Sequence, residues 1–138
     1  MWHTVKVYAA VLPIFLAIDL LWLGALMSGF YKRELGPLSR GSGGGYETVV
    51  WAAVIVYICI PLGVVLFVLP RIGEDPLFPS ALLWGATYGV ILYAVYDMTN
   101  YALIDKWPLR MSMVDIVWGG VICGITSVVA AWFDRFFT

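Results

Sequence analysis

Four long apolar runs, separated by short polar or proline-bounded stretches, make up most of this chain. They extend from Val5 to Tyr31, Thr48 to Leu69, Ser80 to Ile104 and Pro108 to Phe133. Each supplies the roughly 20 residues that a helix needs to cross the hydrocarbon of a bilayer. The pattern predicts an all-α, polytopic integral membrane protein: one domain over residues 1–138, with four transmembrane helices in a compact bundle. The first run reads as a membrane helix rather than a signal peptide. It is too long for one, carries Asp19 in its middle, and leads into Lys32, Arg33 and Glu34 without a convincing cleavage site.

The connections are short. Gly36 to Glu47, GPLSRGSGGGYE, joins the first two helices. It has no Lys-Ser/Thr after its glycines and no strand before them, so it reads as a flexible linker and not a phosphate loop. Pro70 to Pro79 forms a proline-bounded loop, and Asp105 to Pro108 a tight turn. Pro108 suits a first helical turn, where its missing N–H costs nothing. The third and fourth helices are therefore expected to form an antiparallel hairpin.

Composition agrees with this division. The chain is 62% hydrophobic and 12% charged, against about 25% charged in ordinary soluble domains. A net charge of -1 gives no footprint for nucleic acid. Lys32, Arg33, Arg40, Lys106 and Arg110 fall on the odd-numbered loops, and Lys6, Arg71 and Arg135 on the opposite face. The bias favours cytoplasmic odd loops and external termini.

Against this apolar background the acids stand out. An aspartate at a helix centre costs about 2.5 to 3.5 kcal/mol to insert, and Asp19, Asp97 and Asp115 all lie inside apolar runs. Such groups face a bundle interior or a wet cavity and are functional candidates. Asp97 precedes Ile104 by seven residues and Asp115 follows Pro108 by seven, so the hairpin sets both about 10 Å deep. Asp19, twelve residues before Tyr31, lies about 18 Å from the same face. Asp19 and Trp22, Asp97 and Asn100, and Asp115 and Trp118 each share a helix face at i, i+3. Tyr93 and Tyr101 flank Asp97 at i−4 and i+4. The candidate ligand- or proton-binding set is thus Asp19, Trp22, Tyr93, Asp97, Asn100, Asp115 and Trp118. The first and fourth helices also repeat D-x-x-W-x-G, in DLLWLG (Asp19 to Gly24) and DIVWGG (Asp115 to Gly120). In antiparallel helices such a match is what an inverted repeat leaves behind.

Small residues mark the packing faces. Gly85 and Gly89, and Gly120 and Gly124, are both spaced G-x-x-x-G, which lets helices approach closely. Pro61 predicts a kink in the second helix. Trp2, Trp51, Trp107 and Trp132 lie where interfacial anchors belong, while Trp22, Trp84 and Trp118 lie deeper. Cys59 and Cys123 read as small core residues. His3 is the only histidine, which excludes a conventional hydrolase triad within the bundle. No metal site is expected, and no cofactor is specified.

The stretches AIDLLWLG, VYDMTNYALIDKWPL and MVDIVWGG resemble the bacterial family of small four-helix membrane proteins filed as domain of unknown function 2177. The likeness covers nearly the whole chain. Its most specific part is Y-D-x-T-N, a turn with W-P, then D-x-x-W-G, matched by Tyr96, Asp97, Thr99, Asn100, Trp107, Pro108, Asp115, Trp118 and Gly119. The resemblance implies a bacterial inner-membrane location and supplies no activity.

Three readings are compatible with these residues. The first is a small carrier, or a protein binding protons or a small polar or cationic ligand at buried carboxylates. The second is an intramembrane lipid-binding protein or lipid-modifying enzyme. The third is an accessory subunit of a larger membrane complex. The lipid bilayer is the expected surrounding partner. A homodimer is expected for the carrier, because four helices are few for a complete path.

Overall fold

The computed structural model describes residues 1–41 and 47–138; the glycine run at 43–45 lies outside them. The described chain forms helices α1 (Trp2–Leu21), α2 (Ser28–Leu35), α3 (Val50–Gly63), α4 (Leu77–Leu103) and α5 (Leu109–Phe137). Two of them are extended by π-helical turns, α1 by Trp22–Leu26 and α3 by Val64–Val68. Four segments, Trp2–Leu26, Val50–Arg71, Leu77–Leu103 and Leu109–Phe137, are long and apolar enough to cross a membrane.

The first segment is not one straight helix to Tyr31. Its π turn closes with the Met27 N–H on the Trp22 carbonyl at 2.8 Å, and Met27 then leaves helical geometry at φ −119°, ψ 7°. The chain restarts as α2, which ends at Gly36 with φ +45°, a conformation that glycine adopts without steric cost. A π turn inserts a residue into the ladder and re-aims the side chains that follow. Here it separates the direction of α2, and of Tyr31 on it, from that of α1. In α3, Pro61 is buried inside the helix. It lacks the N–H that would bond the Tyr57 carbonyl four residues back, and the helix continues into its own π turn.

Prolines set the other boundaries. Pro76 and Pro108, in extended conformation, immediately precede α4 and α5. The two helices pack along their length as the antiparallel hairpin the short turn dictates. Their contact depends on glycine. A Cβ on Gly89 would stand 2.0 Å from the Gly119 carbonyl oxygen, and one on Gly85 2.5 Å from that of Cys123. Gly120 and Gly124 are looser: an added Cβ would meet Val90 or Leu82 side-chain atoms at 2.9 Å. Gly119, outside the G-x-x-x-G pair, is the more demanding position. The Tyr93 ring lies where its Cβ would be, at 2.3 Å.

The half of the bundle away from the hairpin turn is mainly apolar, with Thr126 and Ser127 of α5 as its buried hydroxyls. Val7 and Val11 of α1, Val64, Val65 and Val68 of the α3 extension, and Ala130 of α5 form one buried cluster. Phe15, Ile122 and Cys123 form a second, flanked by Tyr57 and Trp118. At the far surface His3 Nε2 meets Asp134 at 2.7 Å, and Arg135 donates to the Glu74 carbonyl at 2.6 Å. Cys123 is core as expected, but Cys59 is exposed on the outside of α3. Trp2, Trp51 and Trp132 are exposed, as anchors are. Trp84 is also exposed, so it faces the surroundings and not the acids.

Candidate functional site

The polar site occupies the half of the bundle nearest the hairpin turn. α4 and α5 run antiparallel from a shared turn, so Asp97, six residues before Leu103, and Asp115, six after Leu109, lie at equal depth. Asp97 is fully buried and Asp115 half-buried, and the two carboxyls are within interaction range of each other. Asp97 has unusual surroundings. The Ser112 hydroxyl, one turn before Asp115, is close enough to act on its charge. Yet neither carboxyl oxygen of Asp97 has a hydrogen-bond partner of normal geometry among the described residues. Two ionised carboxylates facing each other bring no donor between them, so the missing bond is the one that a shared proton would make.

Asp115 is reached by a chain of donors, and Asp97 has a hydroxyl nearby. The Tyr31 hydroxyl donates to Asp115 Oδ1 at 2.7 Å and accepts from Trp22 Nε1 at 3.2 Å. Burial pushes the Tyr31 phenol above its ordinary value and the neighbouring Asp115 adds to the shift, so it stays a donor. On the other side Trp107 Nε1 donates to Ser112 Oγ at 2.9 Å. That leaves the Ser112 hydroxyl hydrogen directed by what surrounds it, and Asp97 is the adjacent acceptor. Trp107, expected as an interfacial anchor, is also a hydrogen-bond donor to Ser112 beneath the turn.

Asp19 is 5% exposed and takes 2.8 Å donation from Trp118 Nε1, with the Tyr57 hydroxyl of α3 as its second neighbour. The aspartate and tryptophan of each D-x-x-W motif thus serve the opposite motif. Trp118 of the second motif bonds Asp19 of the first. Trp22 of the first reaches Asp115 of the second through Tyr31. Between them the two indoles stack with centroids 4.1 Å apart and planes 3° from parallel. This reciprocity is what two similar, antiparallel segments produce when packed about an approximate twofold axis in the membrane plane.

The remaining expected residues divide. Tyr93 lies flat over Gly119, within electrostatic range of Asp19 and Asp115. Asn100 is half-buried and its side chain pairs with the exposed Tyr96, one turn beyond Asp97 on α4. Tyr101 is exposed and lies outside the site. Tyr31, Tyr57 and Ser112 were not singled out from the sequence, and Trp107 only as an interfacial anchor and as part of the family pattern. Ser112 carried a usable signal, its i, i+3 spacing to Asp115. So did Tyr57, a hydroxyl within the otherwise apolar run VWAAVIVYICIP. Tyr31 carried none, because only the break at Met27 turns it inward. Among the described residues no group of three or more His, Cys, Asp or Glu is arranged to hold a metal ion.

No curated protein and no solved structure matches the chain. The model of one family does, over residues 4–132, and its description is a predicted membrane protein, domain of unknown function 2177. With nearly the whole chain matched and four apolar helices crossing the bundle, this protein belongs to that membrane-protein family.

Proposed function

We propose that this membrane protein holds one proton between Asp97 and Asp115 and exchanges it for a small cationic ligand that enters from the hairpin face. The observation that carries this reading is Asp97 itself, fully buried, with neither oxygen in a hydrogen bond of normal geometry among the described residues and a second carboxylate beside it. Two unit charges 4 Å apart repel by about 4 kcal/mol at an effective dielectric of 20. Paired buried carboxylates relieve this by keeping one proton or by binding a cation. In the exchange a cation takes the place between the carboxylates, and the proton leaves to water on the hairpin side. The valine cluster and the Phe15, Ile122 and Cys123 layer support a site served from one face only. A carrier cycle would need a second state in which those layers part. The positive-inside bias favours a cytoplasmic hairpin face and external termini, in the bacterial inner membrane that the resemblance implies.

Two measurements test the reading. Infrared spectra at neutral pH should contain a protonated-carboxyl stretch that disappears in Asp97→Asn or Asp115→Asn. Adding alkali cations and simple amines to protein in lightly buffered detergent should release protons from the native chain and not from Asp97→Asn. A native protein with every carboxyl ionised at neutral pH, and with no bound cation by elemental analysis, would overturn the proposal.

A further inference from the structure

Beside the acid site, on the outer surface of the bundle, lies a groove of about 470 Å³ lined by Trp22, Met113, Val114, Val117, Trp118 and Val121. Five of these residues come from successive turns of α5, and Trp22 closes the groove from the π turn. The two indoles are its only polar-capable lining, and their N–H groups are committed inward to Tyr31 and Asp19. Met113 and Val117 are 55% and 64% exposed. At membrane depth, the occupant of such a surface is hydrocarbon.

The end of the groove identifies the head that hydrocarbon carries. Arg110 lies three residues before Met113 and four before Val114, on the same face of α5. Its side chain is 78% exposed and makes a long 3.8 Å contact to Glu34, with its guanidinium 5.5 Å from the Phe30 ring centroid. From Arg110 to Val121 is eleven residues, about 16 Å of helix, close to one leaflet of a hydrocarbon core about 30 Å thick. A guanidinium at the water boundary and an apolar trough one leaflet long complement a phosphate joined to an acyl chain. We propose that this groove binds one anionic phospholipid of the surrounding bilayer. Its phosphate rests on Arg110, displacing Glu34, and one acyl chain lies along Met113, Val117 and Val121 against the edges of Trp22 and Trp118.

This site shares Trp22 and Trp118 with the acid site but neither carboxylate of the pair, and its test is kept separate from that reading. The purified protein is exchanged into phosphatidylglycerol or phosphatidylcholine of identical acyl chains, and retained lipid is counted by native mass spectrometry. One phosphatidylglycerol should be retained in preference to phosphatidylcholine. Arg110→Gln should lower that retention about fivefold, the usual effect of one basic residue at an anionic membrane surface. Arg135→Gln, at the opposite face, should leave it unchanged, as should Asp97→Asn. Val117→Phe, which fills the trough, should lower retention of both lipids. If that variant folds poorly, acyl-brominated phosphatidylglycerol supplies the second readout: it should quench fluorescence of the native protein more than that of Trp22→Phe. Equal retention of the two lipids, or full retention in Arg110→Gln, would mean unselective annular lipid and would overturn the proposal.

Discussion

At the residue scale, the conspicuous group is an acid without a donor. Asp97 is buried at the cost of leaving both oxygens unpartnered, an arrangement that natural proteins tolerate where a site requires it. An amide at this position puts a fixed donor toward Asp115 in place of the shared proton. Asp97→Asn is therefore expected to unfold at the same or a higher temperature, by up to about 1–2 kcal/mol, while losing proton exchange. Thermal unfolding in detergent at neutral pH checks this, and a clear destabilisation would show that the amide does not replace what holds the Asp97 carboxyl. Tyr31→Phe should act in the opposite direction. It strips Asp115 of a donor and Trp22 of an acceptor, so a loss of about 1–2 kcal/mol is expected. A change within about 0.5 kcal/mol, ordinary for an inconsequential substitution, would mean that water replaces the hydroxyl. The aspartates and tryptophans of this site were readable from spacing, because an acid in an apolar run has few uses. Their partners were not. Spacing of i, i+3 places Asp19 beside Trp22 and Asp115 beside Trp118 on one helix, but it cannot say which group lies across from each. The structure crosses the pairs.

At the element scale, close packing of α4 on α5 is what brings Asp97 to Asp115. Gly89 and Gly119 meet backbone to backbone, and Tyr93 fills the space over Gly119. Gly89→Ala would need the helices to separate, because the obstruction is a carbonyl and not a flexible side-chain end. Overpacking of this kind costs typically about 1–3 kcal/mol, and moving α4 off α5 should also weaken proton retention at the acid pair. Gly29→Ala is the matched control. Nothing lies within 4 Å of its added methyl, so the helix preference for alanine, up to about 1 kcal/mol, should leave α2 unchanged or steadier. Gly89→Ala should unfold before the native protein and Gly29→Ala with it or after it, and coincident curves for the two variants would refute the packing account. The four spans were legible because hydrocarbon demands length and apolarity of any helix that crosses it. The break at Met27 was not: no proline marks it, and Gly24 alone does not distinguish a π turn from an ordinary helical turn.

At the scale of the whole molecule, the buried acids lie beneath the hairpin, and the half beyond them is mainly apolar, with Thr126 and Ser127 as its buried hydroxyls. Water should therefore reach the rim of the site from one side only. In a background with both native cysteines replaced, Asn100→Cys is expected to react with a membrane-impermeant thiol reagent from the hairpin face alone. Val64→Cys, in the valine cluster, should react from neither. Labelling of Val64→Cys from the terminal face would reveal a continuous water path and replace the one-sided site with a channel. By itself the sequence determined that this chain lives in a bilayer, how many times it crosses, and which acids are out of place there. Those properties follow from the cost of exposing polar groups to hydrocarbon, and that cost is paid residue by residue. The tertiary structure decided the crossing of the two D-x-x-W motifs, the inward turn of Tyr31, the donor role of Trp107 and the groove below Arg110. Each of these joins residues on different helices, or across a break between them, and their meeting depends on the register and rotation of packed helices, which local spacing does not encode.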